Sequence, residues 1–234
     1  MRINELDIDQ SWVDRLGIPQ PSEKLVFTGC DYYQRGGDED LAFMYSSATL
    51  TLISCHNDFR EHFVRAGAGS LDEYVRAHPN EPLELYIDDL DFYPHEPVFY
   101  EPQGLRVSEL EIGKDRKLVE RFIASCPGED IYKADFNLDS DFFYVASVGN
   151  QLAGALASYC GLEPFESLSI VVHPDYRQMK VGKALLSHLI RATEQRGRLT
   201  RYRTNVENYP SIRLCESLGF RMHSKIQVLA RLDK

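Results

Sequence analysis

His173–Ile190, HPDYRQMKVGKALLSHLI, is the stretch that decides how the rest of the chain is read. It follows ESLSIVV (166–172), a β-rich run that Pro174 stops. A short basic turn comes next, holding one glycine, Gly182, and then a helix running to about Gly197. A strand that feeds a turn and a helix N-terminus makes an anion site. The first-turn amides lack intrahelical partners, and the helix dipole adds about half a positive charge there. Arg177, Lys180 and Lys183 lie in or beside that turn, and from Arg177 to Arg203 there are eight Lys/Arg against one acid, Glu194. The ligand implied is small, anionic and multiply phosphorylated. A plain strand–helix crossover with a solvated basic face has the same spacing, and the spacing alone does not choose.

The chain has 234 residues, 43% hydrophobic and 26% charged, enough for one large or two small domains with a real core. No apolar run approaches the roughly 18–20 residues of a membrane span. The start, MRINELDIDQ, is polar and acidic, unlike a signal peptide. Five cysteines without CxxC spacing argue against a disulfide framework or a cysteine zinc site and fit a reducing cytoplasm. Cys55, His56 and His62 could be imagined as metal ligands, but the plainer reading is a buried thiol beside two surface histidines, and no metal is expected.

Net charge is −10 and unevenly spread. Residues 1–104 carry 7 Lys/Arg and 20 Asp/Glu, whereas 105–234 carry 19 and 16. The split suggests two units, and the acidic half argues against a nucleic-acid partner, whose phosphates demand cations. The boundary is placed at HEPVFYEPQG (95–104), rich in proline and ending in glycine. Residues 1–103 then form an acidic N-terminal α+β domain and 104–234 a second domain. In the first, 41–55 holds a strand, 57–67 a short helix with Asn57 as N-cap, and 70–78 a helix with the Ser70/Glu73 capping-box spacing. Asp88, Asp89, Asp91 and Glu96, mixed with Tyr86, Phe92, Tyr93 and Phe99, suit a cationic amine; an acidic solubilising surface is the alternative. In the second domain the expected order is β-α-β-β-β-α-β-α-β, with Gly149-Asn150 turning a hairpin.

VVHPDYRQMKVGKALL resembles the acetyl-CoA motif of the GNAT superfamily of N-acetyltransferases, through Val172, Pro174, Tyr176, Arg177, Gly182 and Ala184. NVENYPSIRLCESLGF resembles the family's second segment, with Asn208, Leu218, Gly219 and Phe220 in place. The resemblance covers about residues 104–234 and implies a mixed α/β, GNAT-like acyl-CoA N-acyltransferase fold, with the N-terminal α+β domain as an addition. It implies that backbone amides around Gln178, Met179, Lys180, Val181, Gly182 and Lys183, with Arg177, bind the pyrophosphate of acetyl-CoA. It also implies that Ile170, Val171 and Val172 pair with the pantetheine arm in a gap between strands, and that Asn208 bonds the cofactor. A neutral amine, on a small molecule or on a peptide or protein, would attack the thioester, with proximity the main contribution.

Two residues depart from the family pattern. Lys180 stands where a glycine is usual; at negative φ it would simply add a cation, and at positive φ it would be strained by about 1 kcal/mol. Cys215 stands where many members carry the tyrosine that protonates the leaving thiolate, so it is either a substitute acid or a buried filler. The resemblance also implies Glu166, eight residues before Pro174 where many members carry an acid, as the candidate general base; otherwise it is a strand-start carboxylate facing solvent. The first domain reads as a substrate-recognition unit or a degenerate GNAT copy. A rival function is a non-catalytic acyl-CoA sensor or interaction module. A cytoplasmic protein is expected, and a homodimer is compatible with the chain.

Overall fold

The computed structural model describes residues 5–18, 24–28, 40–101 and 103–232. The first half runs α1 (Glu5–Arg15), β1 (Leu25–Thr28), β2 (Asp40–Ser47), β3 (Thr51–Cys55), α2 (Asn57–Ala66), α3 (Leu71–Ala77) and β4 (Leu83–Pro94). The second half runs β5 (Leu105–Leu110), α4 (Ile112–Ser125), α5 (Gly128–Ala134), β6 (Phe142–Val148), β7 (Gln151–Leu162), β8 (Phe165–Val172), α6 (Val181–Gln195), β9 (Leu199–Asn205), α7 (Tyr209–Glu216) and β10 (Phe220–Arg231).

By contacts the chain divides into two compact units, and not at residue 103. Of the described residues, one unit holds those from Tyr93 to Arg203 and Pro210–Arg221; the other holds those up to Phe92, Thr204–Tyr209 and those from Met222 on. The reason is strand pairing. β10 pairs antiparallel with β2, from Ser224↔Ser47 to Leu229↔Ala42, so the C-terminal strand joins the N-terminal half. In that unit the strand order is β1-β3-β2-β10-β4. Its core packs Met44, Ile53 and Leu229 against Phe59, Phe63, Leu71 and Tyr74 of α2 and α3. The stretch 41–55 is two strands rather than one, split by Ala48–Leu50. Ser70 caps α3 by accepting from the Glu73 N–H, while Glu73 reaches back to the Gly69 N–H at 2.7 Å. The N-cap of α2 is His56, one residue before the expected Asn57.

The other unit carries the strand order β9-β8-β7-β6-β5. β5 to β8 are antiparallel neighbours, with the β6–β7 hairpin turning on Gly149-Asn150 as its sequence predicts. β8, α6 and β9 form a crossover that returns parallel to β8. On one face of this sheet Val145, Ala155 and Val171 pack against Phe122 and Cys126. α6 approaches β7 so closely that a Cβ on Gly154 would lie 2.7 Å from Val181 Cγ1, so only glycine fits. The Pro-rich segment 95–101 is no free linker. Its His95 and Val98 N–H groups donate to Gly219 O and Leu218 O at 3.0 Å, and its Tyr100 N–H donates to Ser187 Oγ at 3.0 Å.

Candidate functional site

β8 and β9 start as partners and then part. The register runs Phe165↔Leu199, Glu166↔Thr200 and Ser167↔Arg201, and among the described residues no β9 partner follows, although β8 continues to Val172. On its other edge β8 stays paired, with Ile170, Val171 and Val172 opposite Leu156, Ala155 and Gly154 of β7. Leu168–Val172 therefore keep one backbone edge open at the end of the strand that leads into the turn. In that turn Pro174–Tyr176 form a single 3-10 turn capped by His173, whose Nδ1 accepts from the Asp175 N–H. The chain then enters α6 through two left-handed residues, Gln178 at φ 68° and Lys180 at φ 62°. The expectation for Lys180 is thereby settled on its strained side. Left-handed geometry costs a non-glycine residue about 1–2 kcal/mol. It also turns successive amides toward a common concavity, the arrangement that binds anions. The first N–H of α6 with a backbone partner here is Ala184, bonded to Lys180 O, so those of Val181, Gly182 and Lys183 stand at the free end of the helix dipole.

The basic residues around this helix divide into two groups. Arg177 pairs with Asp130 of α5 at 2.6 Å, Arg191 with Glu101, Arg196 with Glu166 at 2.7 Å, and Arg198 with Glu163 at 2.9 Å. Among the described residues, Lys180 and Lys183 have no carboxylate within ion-pairing distance. Of the six cations just named, Lys180 and Lys183, at the N-terminal end of α6, are the two without a carboxylate partner among the described residues. Arg177, expected to bind the cofactor, is paired with Asp130.

Both candidate proton-transfer residues are corrected by their surroundings. Glu166 does not face solvent and is not a free base. It is fully buried, and its two carboxylate oxygens accept from Arg196 Nε at 3.1 Å and Nη2 at 2.7 Å, with Ser158 Oγ adding a third bond at 2.6 Å. Arg196 also donates to Tyr144 Oη at 3.0 Å and lies 4.0 Å over the Phe142 ring. Cys215 is fully buried on α7; its thiol donates to Ile212 O at 3.1 Å, and burial, with Glu216 nearby, pushes its pKa up to about 12. Tyr202 of β9 is buried too, and its phenol is likewise pushed up by desolvation. Asn208 lies in the turn between β9 and α7, where its N–H donates to Asn205 O at 3.0 Å.

The acidic-aromatic run of the first half is a strand, β4. Asp91, Phe92 and Tyr93 are buried, and Asp88 accepts from Lys225 Nζ at 2.8 Å and Gln227 Nε2 at 2.9 Å. Tyr86 donates to Asp40 at 2.9 Å. Asp88 is thus paired within its own unit, while Glu96 and Phe99 lie beyond the strand and, like Tyr86, are exposed. Sequence reading missed α5, the Arg196–Glu166 pair and the anchoring of the Tyr100 N–H on Ser187. The pair joins residues thirty positions apart, and no local pattern signals it.

Three comparisons bear on this geometry. Residues 139–222 match the family model of the acetyltransferase (GNAT) domain. The chain is 37% identical over 79 residues to the [ribosomal protein bS18]-alanine N-acetyltransferase of Escherichia coli (strain K12), a match covering 33% of this chain and 53% of the relative. The chain thus spans about half the length of the curated relatives it matches. Among solved structures, a GCN5-related N-acetyltransferase-like protein from Streptococcus suis superposes with TM-score 0.51 at 14% identity, over 84% of this chain and 85% of its own. A GCN5-related N-acetyltransferase from Sphaerobacter thermophilus gives 0.50 at 12% identity, over 97% and 66%. These two speak to the fold.

Proposed function

We propose that the protein moves an acetyl group from acetyl-CoA to an amine by direct attack, a reading supported by the match of residues 139–222 to the acetyltransferase (GNAT) domain. The observation that carries this reading is the parting of β8 from β9 after Ser167↔Arg201, beside a turn that presents left-handed backbone and the free end of α6. The open edge at Leu168–Val172 suits the amides of a pantetheine arm, and the amides of Gln178 to Lys183 suit a pyrophosphate. Glu166 and Cys215 belong to the scaffold. Catalysis then rests on holding the amine at attack distance, with water carrying the protons. The acceptor is an amine on a small molecule or at a peptide terminus. The relative named for ribosomal protein bS18 alanine makes an alanine N-terminal peptide the first acceptor to try.

The second reading, an acyl-CoA sensor without turnover, is favoured by one observation: neither Glu166 nor Cys215 is placed to move a proton. Calorimetric titration of acetyl-CoA, followed by thiol-release assays across amines and an alanine N-terminal peptide, separates the two. Micromolar binding with turnover supports the enzyme, and binding without turnover on any amine supports the sensor. A Gly182→Glu variant tests the placement, since a Cβ there already meets Leu214 Cδ2 at 3.1 Å and a carboxylate repels phosphate. Lys183→Glu provides the same repulsion without the crowding. Loss of binding in both is expected; unchanged binding in Lys183→Glu would move the cofactor elsewhere.

A further inference from the structure

Lys180 has no acidic partner among the described residues, yet its ammonium is not loose. It lies 5.3 Å from the ring centroid of Tyr100. Tyr100 reaches it on the segment 95–101, which is fastened at both ends. At one end His95 and Val98 bond Gly219 O and Leu218 O, an approach so close that a Cβ on Gly219 would overlap Glu96 O. At the other, the Tyr100 N–H donates to the buried Ser187 Oγ, two helical turns beyond Lys180, and Glu101 pairs with Arg191, whose guanidinium lies 4.7 Å over Phe99.

A lysine can be held by a carboxylate or by an aromatic face, and the two differ in what they leave. A carboxylate cancels the charge, as at Arg177, Arg191, Arg196 and Arg198. A ring attracts the ammonium through its quadrupole and leaves the full charge for another anion. It also restricts a side chain whose rotamer freedom is worth about 2 kcal/mol. Resting on the acyl-CoA reading above, we propose that Tyr100 is a positioning residue that presents the Lys180 ammonium to the phosphates of the bound nucleotide. At this left-handed position the chain carries an aimed cation rather than a glycine. The segment between the acidic half and the acetyltransferase domain is in this way part of the cofactor site.

The test is a double-mutant cycle on the full-length chain, with acetyl-CoA affinity measured by calorimetry at two salt concentrations. Lys180→Met keeps the stem and removes the charge; it is expected to weaken binding about 5- to 10-fold and to flatten the salt dependence. Tyr100→Leu is expected to weaken binding about 2- to 5-fold, and Tyr100→Phe, which keeps the ring, to bind within about 2-fold of wild type. The Tyr100→Leu effect should vanish in the Lys180→Met background. Repeating the Lys180→Met comparison with acetyl-dephospho-CoA identifies the phosphate. A retained effect points to the pyrophosphate, and a lost effect to the 3′-phosphate. Circular dichroism on each variant checks that it is folded. Tyr100→Leu binding as wild type, or weakening equally with and without Lys180, overturns the proposal while leaving the cofactor reading intact. No binding of acetyl-CoA by the wild type overturns both.

Discussion

The two ends of α6 are built from the same residue types and do opposite work. At the C-terminal end, Arg196 is locked to a fully buried glutamate and a tyrosine, and Arg198 is paired with Glu163. At the N-terminal end, two lysines stand without acids among the described residues, beside free amides and a strained backbone. The comparison teaches that the cations themselves do not mark a site. What marks it is whether the fold has already satisfied them. A satisfied cation holds the scaffold; an unsatisfied one, aimed at a helix N-terminus, awaits an anion.

The largest effect that can break this contrast is expected at the C-terminal end. Glu166→Ala leaves Arg196 without its partner in a mostly buried site and should cost about 3–5 kcal/mol in urea unfolding. A loss under about 1 kcal/mol would mean the pair is not structural. At the other end the double variant Lys180→Met/Lys183→Met should weaken acetyl-CoA binding by at least about 10-fold with little change in unfolding free energy, since neither lysine has an ion pair to lose among the described residues and Met keeps the apolar stem. Lys180→Gly sharpens the contrast further because its two effects have opposite signs. Relief of the left-handed residue should stabilise the fold by about 1 kcal/mol, while acetyl-CoA affinity falls. A destabilised Lys180→Gly would contradict the strained turn.

Smaller effects are expected where proton transfer would be sought. With its pKa pushed up to about 12, Cys215 stays a neutral, buried thiol throughout the working range, so Cys215→Ala should change kcat by less than about 3-fold and leave the pH–rate profile unshifted. A loss of about 100-fold would restore it as the acid. Midway along α6, burial lowers the His188 pKa, with neighbouring Arg191 and Arg196 adding to it against Glu109. A folded pKa below the unfolded value of about 6.5 means that stability is full above that pH and is lost as pH falls from there toward the folded pKa. His188→Gln should flatten that stretch of the stability–pH curve, measured by thermal unfolding between pH 7 and about pH 5.

Much of this was legible in the sequence. The β6–β7 hairpin announced itself by Gly149-Asn150, α3 by Ser70 and Glu73, and the turn by its strand–basic–helix order, because each is a local pattern with a local cause. Long-range pairing was not legible. β10 lies beside β2, and nothing in either strand names the other. The same limit hid the carboxylate partners of the arginines, so Glu166 read as a free base and Arg177 as a free cation. Lys180 could be read only as a fork between two values of φ. The acidic run at 83–94 looked like a surface because its charges were counted without the lysine and glutamine of β10 that meet Asp88.

An amide chemical-shift titration of the labelled protein with acetyl-CoA reads the site residue by residue. Large, saturable shifts are expected at Gln178–Lys183 and along Leu168–Val172, with Arg196–Arg198 nearly still. Shifts centred on the C-terminal end of α6, or no shifts at millimolar acetyl-CoA, would contradict the claim that the uncompensated end of this helix is the cofactor site.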